Sequence, residues 1–317
     1  MSVAVVLIGR NEGARLKASL ASLRGQRIVY VDSGSTDTSV AAAREAGAEV
    51  VELDPATPFT AARARHAGFQ ALGPVPPEFV QFVDGDCSVV PGWIETGRAA
   101  LQNDPTLGLV TGWRSEIHPE ASVYNALCDH EWHRPAGEIT ACGGDMMVRS
   151  RAYIEAGGFD ARVIAAEDDE FCQRIAKAGW GLRRLPVEMT RHDAAMARFG
   201  QWWRRAVRSG HGFAQVGEMR PGYFARERAR VWAYGLVLPL LAVAGLFWRP
   251  LLVGVLAAYA LSYAKTAQGL RKSGMSTRDA LHQGIFLSLS KFPNLIGILT
   301  YHSRKWRGAA MRIIEYK

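Results

Sequence analysis

Four short apolar runs in the first 85 residues constrain the fold of this chain more than any other feature. Residues 3–8, 28–31, 48–53 and 79–83 are of strand length, and the stretches between them are helical in character. Leu16, Leu20 and Leu23 recur at helical spacing and Gly25 marks a stop. An Ala-rich stretch closes at Gly47, and a third helix covers residues 61–72. Apolar runs without polar alternation suit strands covered on both faces. The rhythm predicts an α/β fold with a doubly wound sheet, which gathers ligands at the carboxyl ends of its strands. The loops after Ile8, Val31 and Val83 then share one rim.

The sharpest of those loops lies in "EFVQFVDGDCSVVPGW", residues 78–93. The strand stops on Asp84-Gly85-Asp86, where Gly85 lets the backbone bend and two carboxylates converge. Paired oxygens there suit Mg²⁺ or Mn²⁺ carrying a diphosphate; an Asx-type turn uses the same residues without a metal. At "VDSGSTDTS", Gly34 and its hydroxyl neighbours open a helix whose N–H groups can meet an anion or a ribose. Ser35 or Asp37 can equally well just cap that helix, whereas Asp32, at the strand's end, has no capping duty. Glu167-Asp168-Asp169-Glu170 starts a helix with Phe171, Ile175 and Ala178 on its inner face. Acids favour a helix start in any case, but a carboxylate held there beside a ligand cleft can also act as a general base. His130 and His133 have helical ligand spacing without the rest of a metallopeptidase pattern. With Trp113 and Trp132 they read as core or surface residues rather than as an acceptor cleft. The four cysteines, Cys87, Cys128, Cys142 and Cys172, have no paired spacing and read as reduced thiols.

Five segments in order resemble the inverting family-2 glycosyltransferases of the GT-A fold: the Asn11-Glu12 loop, "VDSGSTDTS", "FVDGDC", "CGGDMMVRSRAYIEAGGFD" and "AEDDEFCQRIAKAGW". The resemblance covers about residues 1–215. It implies a GT-A type mixed sheet and a nucleotide site at Asn11, Glu12, Asp32, Gly34 and Asp84. It implies a divalent metal on Asp86, with His192 as a second ligand. It further implies a donor and acceptor cleft at Gly144, Asp145 and Glu167, and a general base at Asp168, with Asp169 next in register. Many relatives have two adjacent acids where this chain has Asp32-Ser33, so the resemblance does not extend to the identity of the base. "QWWRR" at residues 201–205 is similar to the Gln-x-x-Arg-Trp signature of processive synthases, but Arg205 stands where the Trp belongs, which favours transfer of a single sugar. Arg204 and Arg208 share a helix face and can neutralise a departing diphosphate, or form a basic surface stripe.

Composition shifts after Pro221, so the expected division is a catalytic domain over residues 1–220 and an appendage over residues 221–317. Residues 231–248 carry no charge and would measure about 27 Å as a helix, against a bilayer core of about 30 Å. Arg249-Pro250 interrupts the run, and residues 251–264 are apolar but short. Basic residues flank both sides, which favours a hairpin with both ends in the cytosol; a shallow hairpin in one leaflet and a soluble helical subdomain are the alternatives. Residues 285–299 contain Lys291 and Pro293 and read as interfacial. No signal peptide precedes the first strand, so the catalytic domain is expected to face the cytosol at the cytoplasmic (inner) membrane. The net charge of +8 fits an anionic membrane or a phosphate-rich ligand, and no nucleic-acid module is recognisable. The expected partners are therefore a nucleotide-sugar donor, a hydroxyl or lipid-linked acceptor of envelope-glycan or polysaccharide biosynthesis, and the membrane. A processive synthase-like enzyme, a nucleotidyltransferase and a non-catalytic sugar-nucleotide-binding membrane protein are the competing readings.

Overall fold

The computed structural model describes residues 2–316. The first compact unit runs through Ala197 and includes Met311–Ile313. It alternates β1 (Val3–Gly9), α1 (Ala14–Ser22), β2 (Arg27–Asp32), α2 (Ser39–Glu45), β3 (Glu49–Glu52), α3 (Ala61–Ala71) and β4 (Phe79–Asp84). There follow β5 (Cys87–Val89), α4 (Trp93–Asn103), β6 (Leu107–Glu116), α5 (Val123–Trp132) and β7 (Gly137–Glu138). The unit closes with β8 (Met146–Arg149), α6 (Ser150–Glu155), α7 (Glu167–Lys177) and β9 (Gly181–His192).

The sheet order is β3-β2-β1-β4-β8-β6-β9-β5, with β7 pairing β9. The first four strands are parallel, β8 is antiparallel to both its neighbours, and β9 is parallel to β6. This is the mixed α/β sheet expected. The apolar runs of β1, β2 and β4 are buried on both faces, as their lack of alternation requires, whereas β3, at the sheet's edge, leaves Glu49 and Glu52 exposed. Val6, Phe82, Phe69, Tyr153, Phe159 and Phe171 share one core layer with α3 and α7. Leu7, Tyr30, Phe79, Trp93 and Leu101 share the other with α1 and α4. A Cβ at Gly68 would overlap the Val6 side chain, so α3 lies directly on β1. That close approach aims Arg65, one turn earlier, at the sheet's carboxyl rim.

β9 is longer than the apolar run at its start suggests. It passes Pro186, slips register against β6 near Gly112, and continues to His192. A bulge accommodates a proline that an unbroken ladder would exclude. Because of it, His192 sits within the sheet, between Cys87 of β5 and Glu116 of β6, rather than in a loop beyond it.

The second unit holds residues 198–310 and 314 onward. It contains α8 (Phe199–Met219), α9 (Ala225–Trp232), a π-turn at Ala233–Val237 leading into α10 (Leu238–Gly245), α11 (Arg249–Lys272), α12 (Thr277–Leu289) and α13 (Lys291–Trp306). The break in compactness falls at Ala197 rather than near residue 220, because α8 packs on α13. Gly210 and Gly297 allow this: a Cβ on either would overlap the facing backbone. Arg249-Pro250 begins a helix instead of ending one, since proline is tolerated in a first turn. The second apolar run therefore belongs to a helix of 24 residues, the one helix among the described residues long and apolar enough to cross a membrane. Residues 285–299 are divided between α12 and α13; Leu295 and Ile298 are buried, while Ile285, Ile296 and Leu299 are exposed. Phe247, between α10 and α11, is 92% exposed.

Candidate active site

The end of β4 is a junction of buried charges. Arg65 donates from Nη2 to Asp84 Oδ1 at 2.6 Å and from Nη1 to Glu167 Oε1 at 2.8 Å. Arg114, on β6, lies 3.1 Å from Asp84 Oδ2 and 2.8 Å from Asp145 Oδ2. Asp145 also accepts from the Asp84 backbone N–H at 2.9 Å and from Thr190 Oγ1 at 2.7 Å. Burial alone would raise the Asp84 pKa, but Arg65 and then Arg114 outweigh it and hold the carboxyl below its ordinary range. Two guanidinium groups here meet three carboxylates, Asp84, Asp145 and Glu167, so the junction keeps a negative excess suited to a cation. Gly144 is obligatory at this point because a Cβ would overlap Arg65 Nη2.

Beside this junction, His192 Nε2 lies 3.2 Å from Asp86 Oδ2. The other ring nitrogen, Nδ1, faces Glu116 Oε2 at 3.4 Å. Glu116 is buried and accepts from the Ala194 and His118 N–H groups and from Asn125 Nδ2. Burial would raise its pKa; the hydrogen bonds from His192, Ala194 and His118 overcome this and lower it. An ionised carboxylate accepts only, so His192 Nδ1 directs a proton towards Glu116, which leaves Nε2 as the nitrogen that can meet a cation together with Asp86. Trp132 meets the ring edge-on at 4.7 Å and further fixes it. A carboxylate oxygen and an imidazole lone pair converging on one point are a donor set that Mg²⁺ or Mn²⁺ accepts. Cys87 is the third group near both, but burial pushes its thiol up, which makes it a poor ligand.

On the other side of the rim, the first two parallel strands end in a knot of turns. Asp32 Oδ2 accepts from the N–H groups of Gly34 (2.9 Å) and Ser35 (2.7 Å), and Oδ1 accepts from Tyr30 at 3.1 Å. Asn11, at φ 54°, donates its N–H to Ser35 Oγ and accepts from Thr36 N–H at 2.7 Å. Glu12 donates its N–H to Ser39 Oγ and pairs with Arg15. Gly34, at φ 82°, has no room for a Cβ against the Phe59 ring. Asn11, Glu12, Asp32 and Gly34 therefore form one loop pair, and Asp32 is held as much by its own turn as it is available to a ligand.

The acidic run on α7 resolves into distinct environments. Glu167 is paired to Arg65 and Glu170 to Arg174 at 2.7 Å. Asp168 is raised well above the ordinary carboxyl range, first by burial and then by Glu167 and Asp169. It follows Ala166, a non-glycine residue at φ 57°, a conformation that costs about 1–3 kcal/mol and is kept where surrounding structure demands it.

Asp84, Asp145 and Glu167 are thus joined through two arginines, Asp86 meets His192, and Asp168 starts the helix that Arg65 anchors. Arg204 belongs to α8 in the second unit. The residues that sequence reasoning overlooked are Arg65, Arg114, Glu116 and Thr190. Arg65 carried a signal, a charge on the stripe of Ala62, Phe69 and Leu72 that faces the core. Glu116 carried none, since an acid at a strand's end is ordinary. His130 and His133 join no metal-binding group among the described residues.

Comparison with known proteins bears on this geometry. The Pre-mycofactocin glycosyltransferase of Mycobacterium tuberculosis is 30% identical over 207 residues, 60% of this chain and 42% of that protein, so the chain spans less than half the length of this relative. A mannosyltransferase of Pyrobaculum calidifontis, solved with GDP-Man and Mn²⁺, superposes with a TM-score of 0.59 at 21% identity, covering 92% of this chain and 86% of that one. S. aureus TarS with UDP-GlcNAc superposes at 0.54 and 14% identity, covering 98% and 93%. At these identities the likeness is one of fold, and the fold is GT-A. Residues 4–157, just under half of the chain, match the profile of Glycosyl transferase family 2.

Proposed function

We propose that this protein is a metal-dependent, inverting glycosyltransferase that moves one sugar from a nucleotide diphosphate donor to a hydroxyl acceptor. The observation that carries the reading is the arrangement around Arg65. Through Asp84 it holds the metal-side strand end, and through Glu167 it holds the helix that begins with Asp168. Asp86 and His192 would hold Mg²⁺ or Mn²⁺, which neutralises charge on a leaving diphosphate. Asp32, Asn11, Glu12, Gly34 and Asp84 would bind the nucleoside. Asp168 has the raised proton affinity expected of a general base at neutral pH and would take the acceptor's proton. Gly144 lets backbone approach the donor sugar, while Asp145 braces Arg114.

The reading extends to location and acceptor. The exposed apolar residues of α10 and α11 and the basic residues flanking them support attachment to the cytoplasmic (inner) membrane, with the catalytic unit in the cytosol and a lipid-linked or envelope-glycan acceptor. The test is a screen of the purified chain against a panel of nucleotide sugars with Mn²⁺ or Mg²⁺. Slow, metal-dependent release of nucleoside diphosphate from one donor supports the reading. Failure of every donor to bind or hydrolyse overturns it.

A further inference from the structure

Two thiols lie outside this proposed chemistry yet touch both of its moving parts. Cys142 immediately precedes Gly143-Gly144, in a segment without helix or strand, and Cys172 lies one turn after Asp168 on α7. Their Sγ atoms are 3.7 Å apart, with Cys142 8% exposed and Cys172 fully buried. Nearby, Arg184 of β9 is a buried guanidinium that pairs with no carboxylate among the described residues; its Nε has no partner, and Nη1 reaches only the Pro135 carbonyl at 3.3 Å. Burial lowers the Arg184 pKa. An unpaired buried cation is costly in a structural core.

We propose that Cys142 and Cys172 are a thiol oxidation site that takes a peroxide and closes to a disulfide. Cys142 thiolate attacks one peroxide oxygen, the O–O bond breaks, and sulfenic acid forms while the departing hydroxide is protonated to water. Cys172 then attacks the Cys142 sulfur, the S–O bond breaks, and the second hydroxide leaves as water with the proton Cys172 releases. Two thiols lose two electrons and one peroxide gains them. The order follows from exposure, since Cys142 is the sulfur a small oxidant can reach. Cys172 keeps its proton longer: the hydrogen bond to Cys142 and then burial raise its pKa well above the ordinary value.

Closure from 3.7 Å to a bond of about 2.05 Å draws the Gly143-Gly144 loop and α7 together. Neither side is slack, because Gly144 abuts Arg65 and Arg65 holds Glu167. A shift of about 1 Å at such a site costs on the order of a hundredfold in rate, so oxidation should lower turnover; this consequence, unlike the bond itself, rests on the proposed transferase activity.

The full chain should be treated with hydrogen peroxide, alkylated and digested. The expected result is a Cys142–Cys172 linked peptide that dithiothreitol abolishes, and metal-dependent donor hydrolysis that falls at least about tenfold in step and returns on reduction. Cys142→Ser and, as an independent second variant, Cys172→Ala should keep their hydrolysis in peroxide. Peroxide that leaves both thiols alkylatable, or drives Cys142 to sulfinic acid without the linked peptide, overturns the site. Wild type and both variants losing activity alike overturns the consequence. The peptide measurement decides the site even if no donor is found.

Discussion

Glu116→Gln tests the metal side of the site most directly. Glu116 Oε1 accepts from His118 N–H and Asn125 Nδ2, both at 3.3 Å, and Oε2 accepts from Ala194 N–H at 2.9 Å and His192 Nδ1 at 3.4 Å. An amide has one accepting end. Asn125 cannot turn over to help, because its Oδ1 accepts from Met196 N–H and its Nδ2 donates to the His118 carbonyl. If the Gln oxygen faces Ala194, the His118 N–H is orphaned. If the Gln NH₂ faces Ala194, that N–H is orphaned instead, and His192 must switch tautomer, presenting Nε2–H to Asp86. One buried N–H lost costs about 1–3 kcal/mol of stability. Losing the group that orients a ligating histidine costs about 10–100-fold in metal affinity, or roughly 1.4–2.7 kcal/mol. Mn²⁺ titration calorimetry on Glu116→Gln, His192→Ala and the double variant reads this out. The double variant should bind Mn²⁺ no more weakly than His192→Ala, since Glu116 acts through the ring. A folded Glu116→Gln protein with wild-type Mn²⁺ affinity, or fully additive losses in the double variant, would refute the reasoning.

Asp86→Ala should abolish turnover and the metal-dependent part of nucleotide affinity while the fold survives; unchanged activity in excess chelator is the contrary result. Asp168→Asn should lower turnover about 10²–10⁴-fold, or ~3–5 kcal/mol of barrier, with donor affinity little changed, whereas Asp169→Asn should stay active. The same substitution carries a stability prediction of defined sign: the folded pKa of Asp168 is raised, so its contribution is most favourable below the unfolded carboxyl pKa and is lost as pH rises through the folded value. Asp168→Asn should therefore melt higher than wild type at neutral pH, with the difference vanishing in acid; equal melting at pH 7 would contradict the assignment. Arg65→Met should cost about 3–5 kcal/mol, because it leaves buried Glu167 without its cation and Asp84 with Arg114 alone, and a melting temperature within a degree of wild type would show that the pairs contribute nothing. The full chain should stay in the membrane pellet after a carbonate wash; complete release would leave only an electrostatic surface contact.

What the sequence determined by itself is local. Apolar runs such as residues 3–8 and 79–83 specify buried parallel strands, because only helices packed on both faces satisfy them, and strand ends rich in Asp, Gly and Ser follow directly from that. The order of motifs carries the resemblance to the family-2 glycosyltransferases. Tertiary structure decided the rest, because the decisive contacts join residues far apart in the chain. Arg65 reaches Glu167 across 102 positions, and His192 reaches Glu116 across 76. Periodicity could not show that β9 runs on past Val187 to His192, since a bulge against Gly112 is a property of two strands together. Nor could it tell which acid of Glu167-Asp168-Asp169-Glu170 differs from the others. Four like charges in one helical turn look equivalent until Arg65 and Arg174, brought in from α3 and from the next turn of α7, neutralise Glu167 and Glu170. Asp168, desolvated and pressed by the charges of Glu167 and Asp169, is then the carboxylate whose pKa is pushed up.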